Sequence, residues 1–469
     1  MVESLRNIFA VPDLRKRVFF TFGLLAVYRV GHVIPLPGID PQALAQFMEQ
    51  AAKNSMFGLY DMFSGGNLSR ITIFALGIMP YISASIILQL LAVVWPYLER
   101  LSKEGELGRR KITQYTRYGT ILLSIVQALG IAIWLESFGG RGVAGGLPLV
   151  FHPGWGFRLF TVLTLTTGSA FIMWLGEQIT ERGVGNGMSL IIYAGIVVNF
   201  PGAVTTTLAQ MSTGQLGLFS MAVLVVAMVF IVAAIVFIER GHRRVTVQYA
   251  KRVVGRRMYG GSSTHIPLKV NTGGVIPVIF ASSIIAFPVT ILGMLPGARA
   301  GTGWVTELIR QLGWGNPLYN LLYVAGIIFF AYFYTAIIFN PDDVAENMRK
   351  YGGFVPGIRP GKRTAEYIDT ILTRITLAGA IYLAAVAILP EFLMAGFKVA
   401  PIPFIGERLD AILPRFITDG MGIQFYFGGT SLLIVVGVAM DTVQQVESQL
   451  IMRHYDGFMK KTRIRGRRG

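Results

Sequence analysis

Long stretches of the chain carry no charged side chain. The clearest of them cover residues 71–95, 118–135, 159–176, 270–298, 311–341 and 420–440. A further stretch, residues 183–238, is long enough for two helices, and its polar middle, residues 201–217, predicts a short turn between them. Two weaker stretches are residues 18–35, interrupted by Arg29 and His32, and residues 371–390, interrupted by Arg374. Because about 20 apolar residues cross a bilayer as a helix, the pattern predicts an all-α membrane protein with ten spans.

One sequence frame occurs twice along the chain. Residues 77–85 and 274–282 both read G-h-h-P-x-I-x-A-S, where h is apolar. The two copies fall in the second span of two five-span halves, and an odd number of spans inverts one half relative to the other. Proline loosens a helix, while glycine and serine admit close neighbours, so such helices can part and reclose. Paired interruptions of this kind indicate a functional site near the middle of the membrane.

The composition sharpens the membrane prediction. Only 14% of the 469 residues are charged and 53% are hydrophobic, yet the formal net charge is +17. A soluble protein has about 25% charged residues, and a basic nucleic-acid binder has more. Of the 42 lysines and arginines, 31 fall at the two termini and in the loops on their side, and nine fall in the opposite loops. The positive-inside rule therefore predicts that both termini are cytoplasmic.

The two termini are predicted to lie outside the helical halves. Residues 1–17 mix apolar and basic positions and predict an amphipathic segment on the cytoplasmic membrane surface. Residues 448–469 form a basic cytoplasmic tail. A cleavable signal peptide is not indicated, so the first span is expected to act as the insertion signal.

The sequence offers little catalytic or metal chemistry. It has no cysteine, its five histidines are scattered, and it lacks a Walker A motif, so neither a cofactor, a metal site nor an enzymatic activity is predicted. The glycines at 183, 185 and 187 are typical of a flexible turn. Asp441 is the only candidate for a buried carboxylate within a span, and its place toward the span end indicates an interface anchor. An ion-coupled secondary transporter also has inverted repeats and broken helices, so these features leave a channel and a transporter both open.

Five sequence motifs help to decide between a channel and a transporter. Residues 62–70 (MFSGGNLSR), 108–119 (GRRKITQYTRYG), 174–187 (WLGEQITERGVGNG), 354–361 (FVPGIRPG) and 426–434 (YFGGTSLLI) together resemble the bacterial SecY family, and the resemblance extends from about residue 5 to 465. It implies two inverted five-helix halves, residues 18–207 and 208–447, that form a clamshell around a central pore. A protein of this family conducts unfolded polypeptides across the bacterial plasma membrane and releases hydrophobic segments sideways into the bilayer. On these motifs the channel is favoured over the transporter.

The resemblance also assigns roles to individual residues. It implies an apolar pore ring of Ile78, Ile82, Met188, Ile192, Ile279 and Ile434, in which Met188 replaces the isoleucine usual in the family. It implies a plug within residues 56–70 that includes Phe63, Ser64, Gly65, Gly66, Asn67, Leu68, Ser69 and Arg70. A lateral gate between spans 2 and 3 and spans 7 and 8 is expected to contain Ser85, Gln89, Gln127, Asn271 and Ser282.

Two long cytoplasmic loops, residues 239–273 and 341–370, are expected to dock partners. The family resemblance implies contacts with the ribosome and with the SecA motor ATPase through Arg243, Arg244, Lys251, Arg252, Arg256, Arg257 and Arg359. Arginines suit RNA phosphates, although the same charges also serve as topology signals beside anionic lipid. The subunits SecE and SecG, polypeptides that bear signal sequences, and membrane lipid complete the implied partners. The outer loop 391–422 is longer than the family usually has, and its role is open.

Overall fold

The computed structural model describes residues 11–40, 44, 66–68, 70–139, 149–214, 217–249, 252–254, 257–259, 263–293, 307–308, 311–313, 316–396 and 429–461. The helices are α1 (Pro12–Gly31), α2 (Met79–Val94), α3 (Pro96–Lys103), α4 (Glu106–Gly139), α5 (Trp155–Arg182), α6 (Gly187–Val198), α7 (Phe200–Ser212), α8 (Leu218–Glu239), α9 (Ile276–Gly293), α10 (Pro317–Ile338), α11 (Pro341–Lys350), α12 (Lys362–Ala395) and α13 (Gly429–Lys461). The strands are β1 (His242–Tyr249), β2 (Arg252–Val254), β3 (Arg257–Tyr259), β4 (Ser263–Lys269) and β5 (Gly353–Phe354).

Each of the ten predicted spans coincides with a helix. Within the described residues, seven helical segments are long and apolar enough to cross a membrane, and the pair α2 and α3, bent by 100°, provides an eighth. The remaining two are α1, which begins with charged residues, and α9, whose apolar part is Ile276–Ala286. The helices therefore follow the charge-free runs of the sequence.

One expectation about the spans was wrong. The polar segment after α6 was predicted to be a turn, but residues Phe200–Ser212 form the helix α7. Pro201 stands in its first turn, where the missing N–H costs nothing, and Ala203 N–H bonds to Asn199 O at 3.0 Å. Thr205 and Thr206 are exposed on this helix, so their hydroxyls do not disturb its packing.

The chain divides into two compact units. The first unit comprises Met1–Val204, Ala286–Arg310 and Val438–Gly469, and the second comprises Thr205–Ile285 and Gln311–Gly437. The domain boundaries expected from the sequence stay a prediction.

A core cluster of the first unit contains buried residues of α4 and α5 and of the segments that follow α1 and precede α2. On α4, small residues recur every fourth position and are all buried: Thr116, Thr120, Ser124, Ala128 and Ala132. Such a stripe lets neighbouring helix backbones approach closely. The hydroxyls of Thr116 and Thr120 donate to carbonyls of their own helix, at 3.0 and 2.7 Å, so they need no external partner.

A smaller cluster in the first unit joins distant parts of the chain. Leu14 of α1, Val184 after α5 and Val446 of α13 are buried together. The last helix therefore contributes to the core of the unit that contains the first.

The second unit contains a small sheet that the charge-free runs did not predict. Its strand order is β4-β1-β5, and the β1–β4 register runs from His242 opposite Lys269 to Gln248 opposite Ser263. Buried Val245 and Val247 alternate with exposed Arg244 and Thr246 along β1, which is the pattern of a half-buried strand. The sheet packs on α11 and α12 through a core that includes Leu268, Met348, Val355 and Ile368.

Candidate channel site

The two copies of the sequence repeat adopt the same local conformation. Gly77 and Gly274 each have φ of 57°, in the left-handed region that glycine enters without steric cost. A helix begins shortly afterwards in both copies, with Pro80 and Pro277 in its first turn. The repeat therefore encodes the same break followed by a helix in each half.

The alanine of each copy packs on a glycine of the following span. A Cβ built on Gly119 of α4 would lie 3.3 Å from Cβ of Ala84, and a Cβ built on Gly326 of α10 would lie 3.1 Å from Cβ of Ala281. Both alanines are buried. Spans 2 and 3 in the first unit and spans 7 and 8 in the second are thus joined by the same kind of close contact.

Four of the six predicted pore-ring residues lie in the first unit. Ile78 and Ile82 are buried and stand one turn apart at the start of α2, and Ile192 is buried on α6. Met188 is half-buried one turn before Ile192, and its Sδ lies 2.4 Å from the position that a Cβ of Gly176 would take. The flexible thioether therefore packs over the bare backbone of α5.

The other two pore-ring residues lie in the second unit. Ile279 of α9 and Ile434 of α13 are both buried. Their helices cross where a Cβ on Gly437 would lie 2.4 Å from Cγ1 of Val275. Because Ile279 and Ile434 are each about one turn from this crossing, the structure brings them to the same region of the unit.

Half of the predicted plug residues can be placed. Gly66, Asn67, Leu68 and Arg70 are described, whereas Phe63, Ser64, Gly65 and Ser69 lie outside the described residues. Leu68 is buried in the first unit's core, and Arg70 is exposed.

Asn67 is the centre of a buried polar network. Its Oδ1 contacts Nδ1 of His32 and accepts a hydrogen bond from Thr72 Oγ1 at 2.9 Å. Its Nδ2 donates to the hydroxyl of Tyr28 at 3.3 Å. The sequence indicated neither Tyr28 nor His32 as part of the site, because 35 or more residues separate them from Asn67.

Backbone hydrogen bonds hold the residues after Asn67 to the segment that follows α1. Leu36 N–H bonds to Ile71 O at 2.9 Å, and Ile73 N–H bonds to Ile34 O at 3.1 Å. Ile71, a β-branched residue, has φ of 42°, a strained conformation that persists only where surrounding contacts enforce it. These contacts make a fixed base at the end of the predicted plug.

The predicted lateral-gate residues are buried or make polar contacts within their own unit. In the first unit, Gln89 Nε2 donates to Ser85 Oγ at 3.1 Å, and Gln127 is buried on α4. In the second unit, Ser282 Oγ donates to Ile279 O at 2.9 Å, and buried Asn271 donates to Glu239 Oε1 at 2.6 Å.

Glu239 is a buried carboxylate that the sequence did not indicate. Asp441, the one candidate for a buried carboxylate within a span, is exposed, whereas Glu239 at the end of α8 is buried. The difference arises because Glu239 has the amide of Asn271 as a hydrogen-bond donor, which offsets the cost of removing a carboxylate from water.

The predicted docking arginines occupy the small sheet and a loop tip. Arg243 and Arg244 are exposed on β1, and Arg359 is exposed between Gly357 and Gly361, whose φ values are 83° and 106°. Arg252 and Arg257 belong to the β2–β3 hairpin, and Lys251 and Arg256 lie outside the described residues. Gln248 of β1 pairs with Phe354 of β5, so the two long loops form one sheet.

Metal chemistry has no candidate site in the part of the chain that the structure describes. No three or more side chains of histidine, aspartate or glutamate are grouped there so that they could hold an ion. The described residues of the candidate site are instead apolar side chains of the predicted pore ring, polar side chains that bond between or within helices, and exposed arginines.

Helices that begin within spans, repeated in two halves, define a polytopic membrane protein with an internal repeat, and comparison with known proteins identifies its family. The family model described as SecY matches residues 72–443. The protein translocase subunit SecY of Escherichia coli strain K12 is 50% identical over 457 residues, which cover 97% of this chain and 96% of that protein. The corresponding subunit of Aquifex aeolicus is 42% identical over 462 residues, with coverage of 98% and 100%. The chain belongs to the SecY family of protein translocase subunits.

Solved structures show the same fold. One described as a protein conducting channel matches with a TM-score of 0.60 at 15% identity, covering 93% of this chain and 92% of that chain. Canine Sec61 in a ribosome–channel complex matches with a TM-score of 0.58 at 16% identity, covering 93% and 92%. The fold class predicted from the sequence is confirmed, and family membership sets aside the secondary transporter.

Proposed function

We propose that this chain is the protein-conducting subunit of a bacterial Sec translocase. It passes unfolded polypeptides across the plasma membrane and releases hydrophobic segments sideways into the bilayer. The observation that carries the proposal is the duplicated break and helix at Gly77 and Gly274, which gives each half a helix that carries a buried pore-ring isoleucine, Ile82 or Ile279. Both termini are cytoplasmic in this proposal, as the distribution of basic residues indicates.

The proposed pore ring is Ile78, Ile82, Met188, Ile192, Ile279 and Ile434. A passage wide enough for an extended chain would leak ions if polar groups lined it, whereas an apolar constriction expels water when empty. Five of the six side chains are buried, and the sixth, Met188, is half-buried. Apolar side chains also offer few fixed hydrogen-bond partners to a passing peptide, so they favour no particular sequence.

The proposed lateral gate sorts segments by their solubility in lipid. Placing one charged side chain at the bilayer centre costs roughly 2.5 to 3.5 kcal/mol on insertion scales, while each leucine or isoleucine contributes a few tenths favourably. A seam that opens toward lipid lets a segment partition accordingly, and no catalytic group is needed. Ser85, Gln89, Gln127, Asn271 and Ser282 are its polar residues in this proposal.

The proposed partners are SecE, SecG, SecA and the ribosome. Exposed Arg243, Arg244 and Arg359 support docking to the last two. Ribosome-bound relatives strengthen the case, because canine Sec61 and the yeast Ssh1 complex have both been seen with ribosomes. The sheet that β1 and β5 form together gives the arginines on the two loops a common rigid support.

Crosslinking of a substrate held in transit tests the function. The chain has no cysteine, so single cysteines can be introduced without background. We expect a cysteine at Ser64 in the plug to form a disulfide with a cysteine in a stalled secretory polypeptide. A cysteine at Val226, an exposed position on α8, should give no disulfide. Equal labelling at both positions, or none at Ser64 while polypeptide is imported into the vesicles, would contradict the assigned path.

A further inference from the structure

The strongest unassigned feature is a carboxylate buried beside a predicted gate residue. Glu239 is 9% exposed and Asn271 is 6% exposed. Oε1 of Glu239 accepts a hydrogen bond from Nδ2 of Asn271 at 2.6 Å. We propose that Glu239 is a positioning residue that holds Asn271, and through it the turn that leads into α9, in the resting state of the gate. The inference rests on the proposed function only in treating α9 as a gate helix.

Asn271 links the carboxylate to the repeat. Its side-chain nitrogen also donates to Gly274 O at 2.9 Å. An amide NH₂ group has two hydrogens, so both are used. Gly274 is the left-handed glycine that opens the second repeat copy. A displacement of Glu239 would therefore move the side chain of Asn271, and with it the break before α9.

Neighbouring elements cover this link closely. Val270 N–H bonds to Gly241 O at 3.0 Å, which ties the end of β4 to the end of α8. A Cβ on Gly379 of α12 would lie 2.6 Å from Val270 O, so α12 covers the same turn closely. Tyr382, one turn further along α12, is buried as well. A buried amide that loses its charged acceptor therefore cannot easily exchange it for water.

The first half closes the equivalent turn differently. There Gly77 N–H bonds to Phe74 O at 2.8 Å, a contact between backbone groups. In the second half the side chains of Asn271 and Glu239 contribute to the turn. A substitution at Glu239 is therefore expected to loosen the helix of the second repeat copy and leave that of the first unchanged.

Two substitutions separate positioning from folding. Glu239→Gln keeps an oxygen acceptor for Asn271, whereas Glu239→Ala removes it. Asn271→Ala breaks the same link from the other side and serves if Glu239→Ala does not assemble. Glu366→Ala, at an exposed glutamate in the same unit, is the matched control.

The first measurement needs no transport. A single cysteine at Thr272, a half-buried residue beside Asn271, is alkylated in the purified, resting protein. Because hydrogen bonds to charged groups are among the stronger ones, we expect Glu239→Ala and Asn271→Ala to raise the alkylation rate roughly tenfold. Glu239→Gln should stay near the parent rate, and Glu366→Ala should equal it. Unchanged alkylation in both alanine variants would overturn the proposal.

The second measurement asks whether the turn controls the gate. Vesicles that contain each variant with the proposed partners SecE, SecG and SecA, and with ATP, receive one substrate with an intact signal sequence and one with a charge in its hydrophobic core. We expect the alanine variants to raise the ratio of altered to intact substrate imported, and Glu239→Gln to restore the parent ratio. If the parent protein imports nothing, the proposed function fails. The alkylation rates still show whether Glu239 holds Asn271 in place. A ratio unchanged in an actively importing alanine variant would refute control of the gate.

Discussion

Nδ1 of His32 contacts Oδ1 of Asn67, and this contact joins the residue that follows α1 to the end of the predicted plug. An amide oxygen only accepts hydrogen bonds, so this contact suits the histidine tautomer that carries a proton on Nδ1. Both residues are buried, at 5% and 0% exposure, and Thr72 and Tyr28 complete the network. The predicted plug is therefore held at one end by a polar contact that includes a histidine ring.

Removal of Asn67 should loosen the resting channel. Asn67→Ala removes one contact from each of three buried polar groups, and a hydrogen bond contributes about 0.5–1.5 kcal/mol net to stability. We expect a lower melting temperature and an increased ion leak through vesicles that contain the resting protein. Asn347→Ala, at an exposed asparagine on α11, should change neither quantity. A leak equal to that of the parent would show that the network does not restrain the plug.

Two glycines of α1 should respond oppositely to alanine. A Cβ on Gly31 would fall 1.9 Å from the ring of Phe74, whereas a Cβ on Gly23 meets nothing within 4 Å. Alanine favours a helix by about 1 kcal/mol over glycine, so Gly23→Ala should be neutral or stabilising. Gly31→Ala must displace a ring that stacks on Tyr28 and Phe171, and we expect destabilisation by ~2 kcal/mol.

The double variant identifies the cause of that loss. Gly31→Ala combined with Phe74→Ala should be less destabilised than the sum of the single changes, because the clash is absent. Thermal unfolding of the four proteins measures the coupling. Additive effects would mean that the Gly31 defect has another origin.

Gly187 and Gly176 lie at one helix crossing but differ in what a side chain would meet. A Cβ on Gly187 would lie 1.9 Å from the backbone oxygen of Gly176, while a Cβ on Gly176 would first meet Sδ of Met188 at 2.4 Å. A thioether can change rotamer and a backbone cannot, so Gly187→Ala should cost ~3 kcal/mol and Gly176→Ala about 1 kcal/mol. Equal melting temperatures for the two variants would contradict this assignment.

The small sheet should depend on the buried side of β1. Val247 is 1% exposed within the core beneath the sheet, so Val247→Ala should destabilise the sheet by ~2 kcal/mol. The neighbouring Thr246 is exposed, and Thr246→Ala should change stability by less than about 0.5 kcal/mol. Limited proteolysis of the two cytoplasmic loops compares the two variants. Equal cleavage rates would show that the core beneath the sheet does not stabilise it.

Arg359 should matter for docking rather than for insertion. Its backbone oxygen accepts a hydrogen bond from Thr364 Oγ1 at 3.0 Å, and its side chain is exposed. Arg359→Glu should abolish export driven by the motor in reconstituted vesicles, since it reverses the charge at the loop tip, while membrane insertion of the chain is unchanged. Arg349→Glu, at an exposed arginine of α11, is the control and should retain export. Export by Arg359→Glu at the parent rate would contradict docking at this tip.

The sequence predicted the spans because their signal is a property of single segments. A run such as residues 71–95 shows its apolar character without knowledge of any partner. The β1–β4 pair was missed because its signal, the alternation of Val245 and Val247 with polar neighbours, is short and lies in a segment rich in arginine. A search for alternating residues within the loops would have found it.

The sequence did not predict the buried polar contacts, and the reason differs from the one that applies to the small sheet. Glu239 and Asn271 are 32 residues apart, and His32 and Asn67 are 35 residues apart. Nothing local at either end specifies the other, so only the path of the chain brings them together. The repeat, in contrast, can be recognised directly in the amino-acid sequence, and the equal φ angles of its two glycines follow from the shared sequence.

The cluster of Leu14, Val184 and Val446 has a consequence for biogenesis. Domains generally fold in the order in which the ribosome delivers them. Here the first unit takes residues Val438–Gly469, which follow the whole of the second unit along the chain, so its core cannot be completed until α13 has been synthesised. A chain cut short before α13 should leave Leu14 and Val184 uncovered, which would expose unfinished molecules to the quality-control proteases of the membrane.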